Sequence, residues 1–196
     1  MVTRRIRSNN LKISETRIKG KSSYRLAVFD LDDTIIVSEA KVHVLDTKSG
    51  NVLKSLTPSE FNFFKPKPNH QLSFTDFEDF EILKKSSFVN HILEDLQNFY
   101  KSGVHVAILT ARSNSKMIRD FFLHNGIDIH RDLVIGVNDP SYGFQGSIAE
   151  RKKEALHRLV QDGYKDLIFF DDNEENLRLA KEIEQERGVK VKTIKV

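Results

Sequence analysis

The stretch YRLAVFDLDDTIIVSE, residues 24–39, sets an apolar run against three aspartates within four positions. A short apolar run closed by an acid reads as a buried strand, and Asp30 stands at its end. Residues two apart on an extended chain point to the same side, so Asp30 and Asp32 face one site while Leu31 faces the core. Carboxylates gathered in this way repel one another. Their convergence asks for a cation.

Working outward, strand and helix signals alternate. YRLAVFD (24–30), VHVAILT (104–110), LVIGV (133–137), DLIFFD (166–171) and VKVKTIKV (189–196) read as short, mostly apolar strands. Between them, Phe88, Val89, Ile92, Leu93, Leu96, Phe99 and Tyr100 share one helical face, with Gly103 as a stop. Ser147 and Glu150 form a capping box ahead of Ala155, Leu156, Leu159 and Val160, and Gly163 ends that helix. Leu177, Ala180 and Ile183 mark a last helix closed by Gly188. This alternation predicts an α/β fold, with a mainly parallel five-stranded sheet between two helical layers. Ligands of such sheets sit at the carboxyl ends of the strands, which is where Asp30 and Asp171 fall.

One segment breaks the rhythm. About 70 residues separate the first two strands, far more than an ordinary crossover needs. Residues 40–56 alternate Val42, Val44 and Val52 around a TKSG turn and predict a β-hairpin. Thr57, Pro58 and Glu60 supply an N-cap, a proline in the first turn and a capping-box acid for a short helix. Pro66 and Pro68 hold the next residues extended. Seven of the 14 phenylalanines lie between 61 and 88. Phe61, Phe64, Phe74, Phe77 and Phe80 are read mostly as buried anchors. The insertion, about 38–87, is expected to be a flap or small cap over the strand ends.

A chain of 196 residues with 39% hydrophobic and 30% charged residues describes one soluble domain. It has no run of about 20 apolar residues to span a bilayer, and MVTRRIRSNN lacks the apolar core of a secretory signal. The absence of cysteine excludes disulfides and thiolate metal sites and suits a reducing cytoplasm. The net charge of +3 is uneven: residues 1–25 hold eight Lys or Arg and a single acid, Glu15. That organisation predicts a basic arm at 1–22 and a folded domain at 23–196. The arm reads as a solvated tail or as a contact for nucleic acid.

A second acidic pair, Asp171 and Asp172, closes another apolar run, with Asn176 behind it. Oxygen-rich ligands of this kind suit Mg²⁺. Each piece also has a plain structural reading: Asp or Asn after a strand caps the next helix, Thr110 closes a strand, and Lys152 lies on a solvated helix. Their joint placement, at strand ends and helix starts along one sheet edge, is what points to chemistry.

On the residues DLDDT (30–34), Thr110 in AILTAR, Lys152 in ERKKEAL and Asp171–Asp172 in FFDDN, the chain resembles the haloacid dehalogenase-like (HAD) superfamily of phosphohydrolases. The four motifs occur in the family's order over residues 24–196. Asp33 stands where the family often has glycine. The resemblance implies a Rossmann-like three-layer fold and a Mg²⁺-dependent phosphatase. In it Asp30 is the nucleophile that forms an aspartyl-phosphate and Asp32 the general acid and base. Thr110 and Lys152 bind phosphoryl oxygens. It also implies that Mg²⁺ is held by Asp30, the backbone carbonyl of Asp32, and Asp171, with Asp172 holding water on the ion. Lys152 is preferred to Lys153 and Arg151 because it shares a helical face with Leu156 and Leu159.

Arg112, two residues after Thr110, is similar in placement to an arginine of polynucleotide 3′-phosphatase domains, which implies a phosphate contact. It is equally read as capping a helix or pairing with an acid. The chain also resembles small phage-encoded members of the superfamily, for which the location would be the host cytoplasm. The expected partner is a phosphorylated nucleotide, nucleic-acid end or small metabolite, with no membrane involved. The competing reading is a catalytically silent binding module of the same fold. The acidic cluster, which is costly to keep without a use, favours the enzyme.

Overall fold

The computed structural model describes residues 24–196. The arm at 1–22, and the nucleic-acid reading attached to it, lie outside the described residues. The chain begins with β1 (Arg25–Phe29) and a short β2 (Ile36–Val37), then enters the insertion: β3 (Val42–Asp46), β4 (Val52–Leu56), α1 (Pro58–Asn62), β5 (His70–Ser73), a 3-10 turn (Thr75–Glu78) and α2 (Phe80–Lys84). It returns through β6 (Ser87–Phe88) to α3 (Asn90–Lys101), β7 (His105–Thr110), α4 (Ser115–His124), β8 (Val134–Gly136), α5 (Ile148–Gln161), β9 (Asp166–Asp171), α6 (Glu174–Arg187) and β10 (Lys190–Lys195).

Five strands form one sheet in the order β10-β9-β1-β7-β8, and every pairing in it is parallel. Each lies within one residue, at both ends, of its sequence expectation. Parallel neighbours need crossover connections, and here helices supply them and flank the sheet. Leu26, Ala27, Val28 and Phe29 of the central β1 are all fully buried, so both faces of the sheet are covered. Phe29 stacks on Phe170 of β9 with centroids 4.4 Å apart, and Phe99 of α3 meets both rings edge-on. These three rings fasten α3 to one face.

The helix ends follow local chemistry. Ser147 and Glu150 complete their capping box at the start of α5, and Gly188 ends α6 in the left-handed conformation. The end signals did not single out α4. Asn114 caps it by accepting from the Met117 amide, and Met117, Ile118, Phe121 and Phe122 form its buried face.

The insertion has its own architecture. β3 and β4 pair antiparallel as a hairpin, and β5 adds to the other edge of β3. β5 follows an irregular stretch at 64–67 and a turn at 68–69, in which the His70 amide donates to the Lys67 carbonyl at 2.9 Å, so the approach expected to be extended ends in a turn. Thr57 and Glu60 complete the capping box of α1. Phe61, Phe64 and Phe77 pack with Val42, Val44, Leu56 and Leu72 into a small separate core, while Phe80 joins the main one. Phe74 is half exposed, and Phe63, at 88% exposure, anchors nothing. The β2–β6 ladder, with Ile36 opposite Phe88, joins the two ends of the insertion, so it leaves and re-enters the domain at one point. Among the described residues no helix is long and apolar enough to cross a membrane.

Candidate active site

Three neighbouring strands deliver the chemistry. Asp30 follows β1, Thr110 ends β7 and Asp171 ends β9, all at the carboxyl edge of the sheet. The Asp30 amide donates to the Phe170 carbonyl at 2.9 Å, which carries the β1–β9 pairing up to the site and fixes Asp30 beside Asp171. Lys152 comes from the second turn of α5, on the same buried face as Ala155, Leu156 and Leu159.

Asp30, Asp171 and Lys152 form one buried ionic cluster. The Lys152 ammonium donates to Asp30 Oδ1 at 2.7 Å and to Asp171 Oδ2 at 2.8 Å. Asp171 is further held by the Asn176 amide, which donates to both of its oxygens at 2.9 and 3.1 Å, and by the Asn173 backbone N–H at 2.8 Å. Asn176 therefore orients an acid. Lys153, one residue along, points away to Glu182 and Glu186.

The cluster is short of positive charge. Ligand oxygens of Asp30, Asp171 and Asp172 lie within 4.8 Å of one another, and one ammonium faces these three carboxylates. Burial pushes the Asp30 carboxyl well above the usual carboxylate range; Lys152 pulls it back, and Asp171 and Asp32 push it up again. Asp172 is raised as well, by burial and then by Asp171. Burial alone would lower the Lys152 pKa, but the charges and hydrogen bonds of Asp30 and Asp171 outweigh it and hold Lys152 above its ordinary value. Burial is thus the largest cause for both acids and Asp171 adds to it, while the raised Lys152 reflects the two carboxylates it touches. With all three carboxylates ionised, the acids would exceed the one ammonium by two charges, and the donor set, all carboxylate oxygen, suits a hard divalent ion. Ligand oxygens this close together could hold one ion.

Asp32 lies across the strand end from this cluster, in a bidentate pair with Arg112: Nε to Oδ2 at 2.9 Å and Nη2 to Oδ1 at 2.7 Å. Arg112 Nη2 also donates to Ser38 Oγ at 3.0 Å, and Nη1 donates to the Phe77 carbonyl at 3.1 Å. Of the two readings of Arg112, the structure displays the pairing with an acid. The buried Thr110 hydroxyl accepts from the Arg112 amide at 3.3 Å, which leaves its own proton free to donate. Gly136 lets β8 approach this loop, since a Cβ there would lie 2.4 Å from the Arg112 carbonyl oxygen.

Asp33 is the one non-glycine residue of the described chain with positive φ, at 58°. It occupies a tight turn in which its amide donates to the Ile36 carbonyl, and Asp is among the few side chains that tolerate this region. Its carboxylate turns toward the insertion and accepts from Ser59 Oγ at 2.9 Å. The extra acid of DLDDT thus touches α1.

The structure brings Asp30, Asp171, Asp172 and Lys152 together, places Asp32 with Arg112 beside them, and sets Thr110 at the adjoining strand end. Sequence reasoning missed Ser38, Phe77 and Ser59, which reach the site from the insertion. Nothing in their immediate sequence marks them, because each acts only across a long-range contact. A scan of protein-family models gives no match to the chain, and a search of curated proteins gives none either.

Proposed function

We propose that the protein is a Mg²⁺-dependent phosphomonoester hydrolase of the HAD type that works through an aspartyl-phosphate on Asp30. The observation that carries this reading is the buried Asp30–Lys152–Asp171 cluster, short of positive charge and set at the carboxyl edge of a parallel sheet. Asp30 and Asp171 would hold the ion, with the Asp32 backbone carbonyl as a further ligand and Asp172 holding water on it. When bound, Mg²⁺ would supply electrostatic stabilisation of the phosphoryl oxygens and lower the repulsion met by an anionic nucleophile.

The side chains account for the remaining steps. A carboxylate oxygen of Asp30 attacks phosphorus, and the bond from phosphorus to the ester oxygen breaks. Asp32 gives a proton to the departing oxygen, so the leaving group departs as a neutral alcohol. Water then attacks the phosphorus of the aspartyl-phosphate, Asp32 takes its proton, and the Asp30 carboxylate is released with inorganic phosphate. Thr110 donates its hydroxyl proton to a phosphoryl oxygen, and the Lys152 ammonium offsets the charge that builds in the transition state. The arginine donors that a phosphate contact would need are engaged by Asp32, Ser38 and Phe77, so Arg112 is assigned to Asp32 and the phosphate contacts to Thr110 and Lys152.

The insertion acts as the cap that covers the leaving-group side. It displays Phe63, 88% exposed, and, two and four residues further along the chain, the exposed Lys65 and Lys67. A planar ring with two cations suits a base and a phosphate backbone, which favours nucleotides or nucleic-acid ends as substrates. The test is hydrolysis of p-nitrophenyl phosphate and of mononucleotide and oligonucleotide phosphates, with Mg²⁺ and with a chelator. Activity that needs Mg²⁺ and vanishes in Asp30→Asn supports the reading; turnover unaffected by either change refutes it.

A further inference from the structure

The Arg112 side chain is almost completely enclosed, with 1% of its surface exposed. Burying a guanidinium is costly unless its N–H groups are matched. Of its five donors, four are taken: two by the oxygens of Asp32, one by Ser38 Oγ and one by the Phe77 carbonyl. The flat face of the group also lies over the Phe77 ring, with Cζ 5.0 Å from the centroid. The partners fall into two sets. Asp32 belongs to the loop after β1, whereas Ser38 begins the insertion and Phe77 lies in its 3-10 turn. A further tie joins the same places, since Ser113 Oγ donates to Glu78.

Arg112 therefore has four of its five donors engaged only when the insertion sits on the strand ends. We propose that Arg112 is a positioning residue that couples the seating of the insertion to the orientation of Asp32. With the insertion seated, the planar fork fixes both Asp32 oxygens, and each oxygen keeps a second lone-pair direction for a travelling proton. With the insertion lifted, Arg112 loses its Ser38 and Phe77 contacts, and Asp32 loses the fork that aims it. Proton transfer to the leaving group is then confined to the state in which the insertion is seated. Lysine cannot replace this arrangement, because a single ammonium does not span two oxygens while also reaching Ser38 and Phe77.

The catalytic half of this inference rests on the phosphatase reading above. The experiment compares the parent, Arg112→Lys, Ser38→Ala, Asp32→Asn and the Arg112→Lys/Asp32→Asn double variant, with Mg²⁺, on p-nitrophenyl phosphate and an alkyl phosphate. Misplacing an acid by about 1 Å costs on the order of 100-fold. Arg112→Lys should therefore lose roughly 10- to 100-fold in kcat on the alkyl ester, whose leaving oxygen needs the proton, and much less on the p-nitrophenyl ester. KM should hold within about 3-fold, because the phosphate contacts are untouched. Ser38→Ala, which leaves the pair with Asp32 in place, should shift the alkyl ester in the same direction by a few fold and stands in if Arg112→Lys does not fold.

On p-nitrophenyl phosphate the double variant should be no worse than Asp32→Asn alone. Losses that multiply in the double variant, or a change confined to KM, would overturn the inference in favour of a direct phosphate contact. Hydrogen exchange supplies a readout without turnover. Amides at 38–41 and 75–78 should exchange faster in Arg112→Lys while β1, β7 and β9 keep their protection; unchanged exchange there would overturn the coupling. A parent that hydrolyses neither ester defeats the phosphatase reading before any variant is compared.

Discussion

Replacing Lys152 with Met keeps most of the buried stem and removes the one ammonium that faces Asp30 and Asp171 at 2.7 and 2.8 Å. Removing one partner of a buried ion pair costs about 3–5 kcal/mol, because the remaining charge stays buried. Here two carboxylates lose their partner, but Asp30 has an exit: burial already holds its carboxyl well above the usual range, and without Lys152 it can take up a proton. The sign follows from that. A carboxyl whose folded pKa is raised contributes stability below its unfolded value, about 3.9, and loses it as pH rises through the folded value. The deficit of the variant should therefore grow as pH rises. For a domain of this size each kcal/mol moves Tm by about 2–4 °C, so the full deficit corresponds to roughly 6–20 °C. The assay is thermal unfolding of parent and variant from pH 5 to 8 in chelator, followed by addition of Mg²⁺. Mg²⁺ should raise Tm more in the variant, which carries the larger uncompensated charge. A difference of less than about 2 °C that does not change with pH would refute the view that Lys152 balances a buried acidic cluster.

Gly136→Ala would put a Cβ 2.4 Å from the Arg112 carbonyl oxygen; overpacking of this kind costs about 1–3 kcal/mol, so urea unfolding should show that loss, and turnover should fall with it because Arg112 moves. A variant with parental stability would show that β8 does not press on this loop. Asp33, at φ 58°, should accept glycine within about 1 kcal/mol, whereas Asp33→Val should lose about 1–2 kcal/mol, because a branched side chain is strained in the left-handed region. Equal stability of the two variants would count against a required left-handed turn. His105 donates to or accepts from the Tyr164 hydroxyl at 2.7 Å, and burial, then His130, lowers its pKa. Its neutral ring adds stability above about pH 6.5 that is lost as pH falls through the lower folded value. NMR titration of the ring should give a midpoint below that of a free histidine, and a midpoint at or above it would contradict the burial argument.

What could be read from the chain divides by the range of the contacts involved. The sheet was legible because its inner strands are nearly continuous apolar runs, while the edge strand β10 intersperses lysines with Val191 and Ile194 instead. Asp30 and Asp32 were legible from the period of two, and Lys152 from its place on a face shared with Leu156 and Leu159. The ladder of Ile36–Val37 with Ser87–Phe88 was not, because two residues are too few to show a period. β5 was hidden because it joins an edge of the hairpin and is only half buried. The partner of Arg112 was one of two open readings until the fold set it against Asp32. The partnership with Ser38 and Phe77 depends on how 38–87 folds back, which no local pattern encodes. Phe63 illustrates the converse: aromatic clustering suggests burial, yet its neighbours Phe61 and Phe64 fill the small core and leave it outside.

The central claim is that Asp30 becomes covalently phosphorylated, and the most direct measurement is mass spectrometry of the protein quenched in acid during turnover of a phosphate ester with Mg²⁺. The account predicts a phosphoryl adduct on the peptide that contains Asp30, absent in Asp30→Asn and accumulating in Asp32→Asn, in which the base for its hydrolysis is missing. Steady turnover with no adduct on Asp30 in either the parent or Asp32→Asn would contradict it.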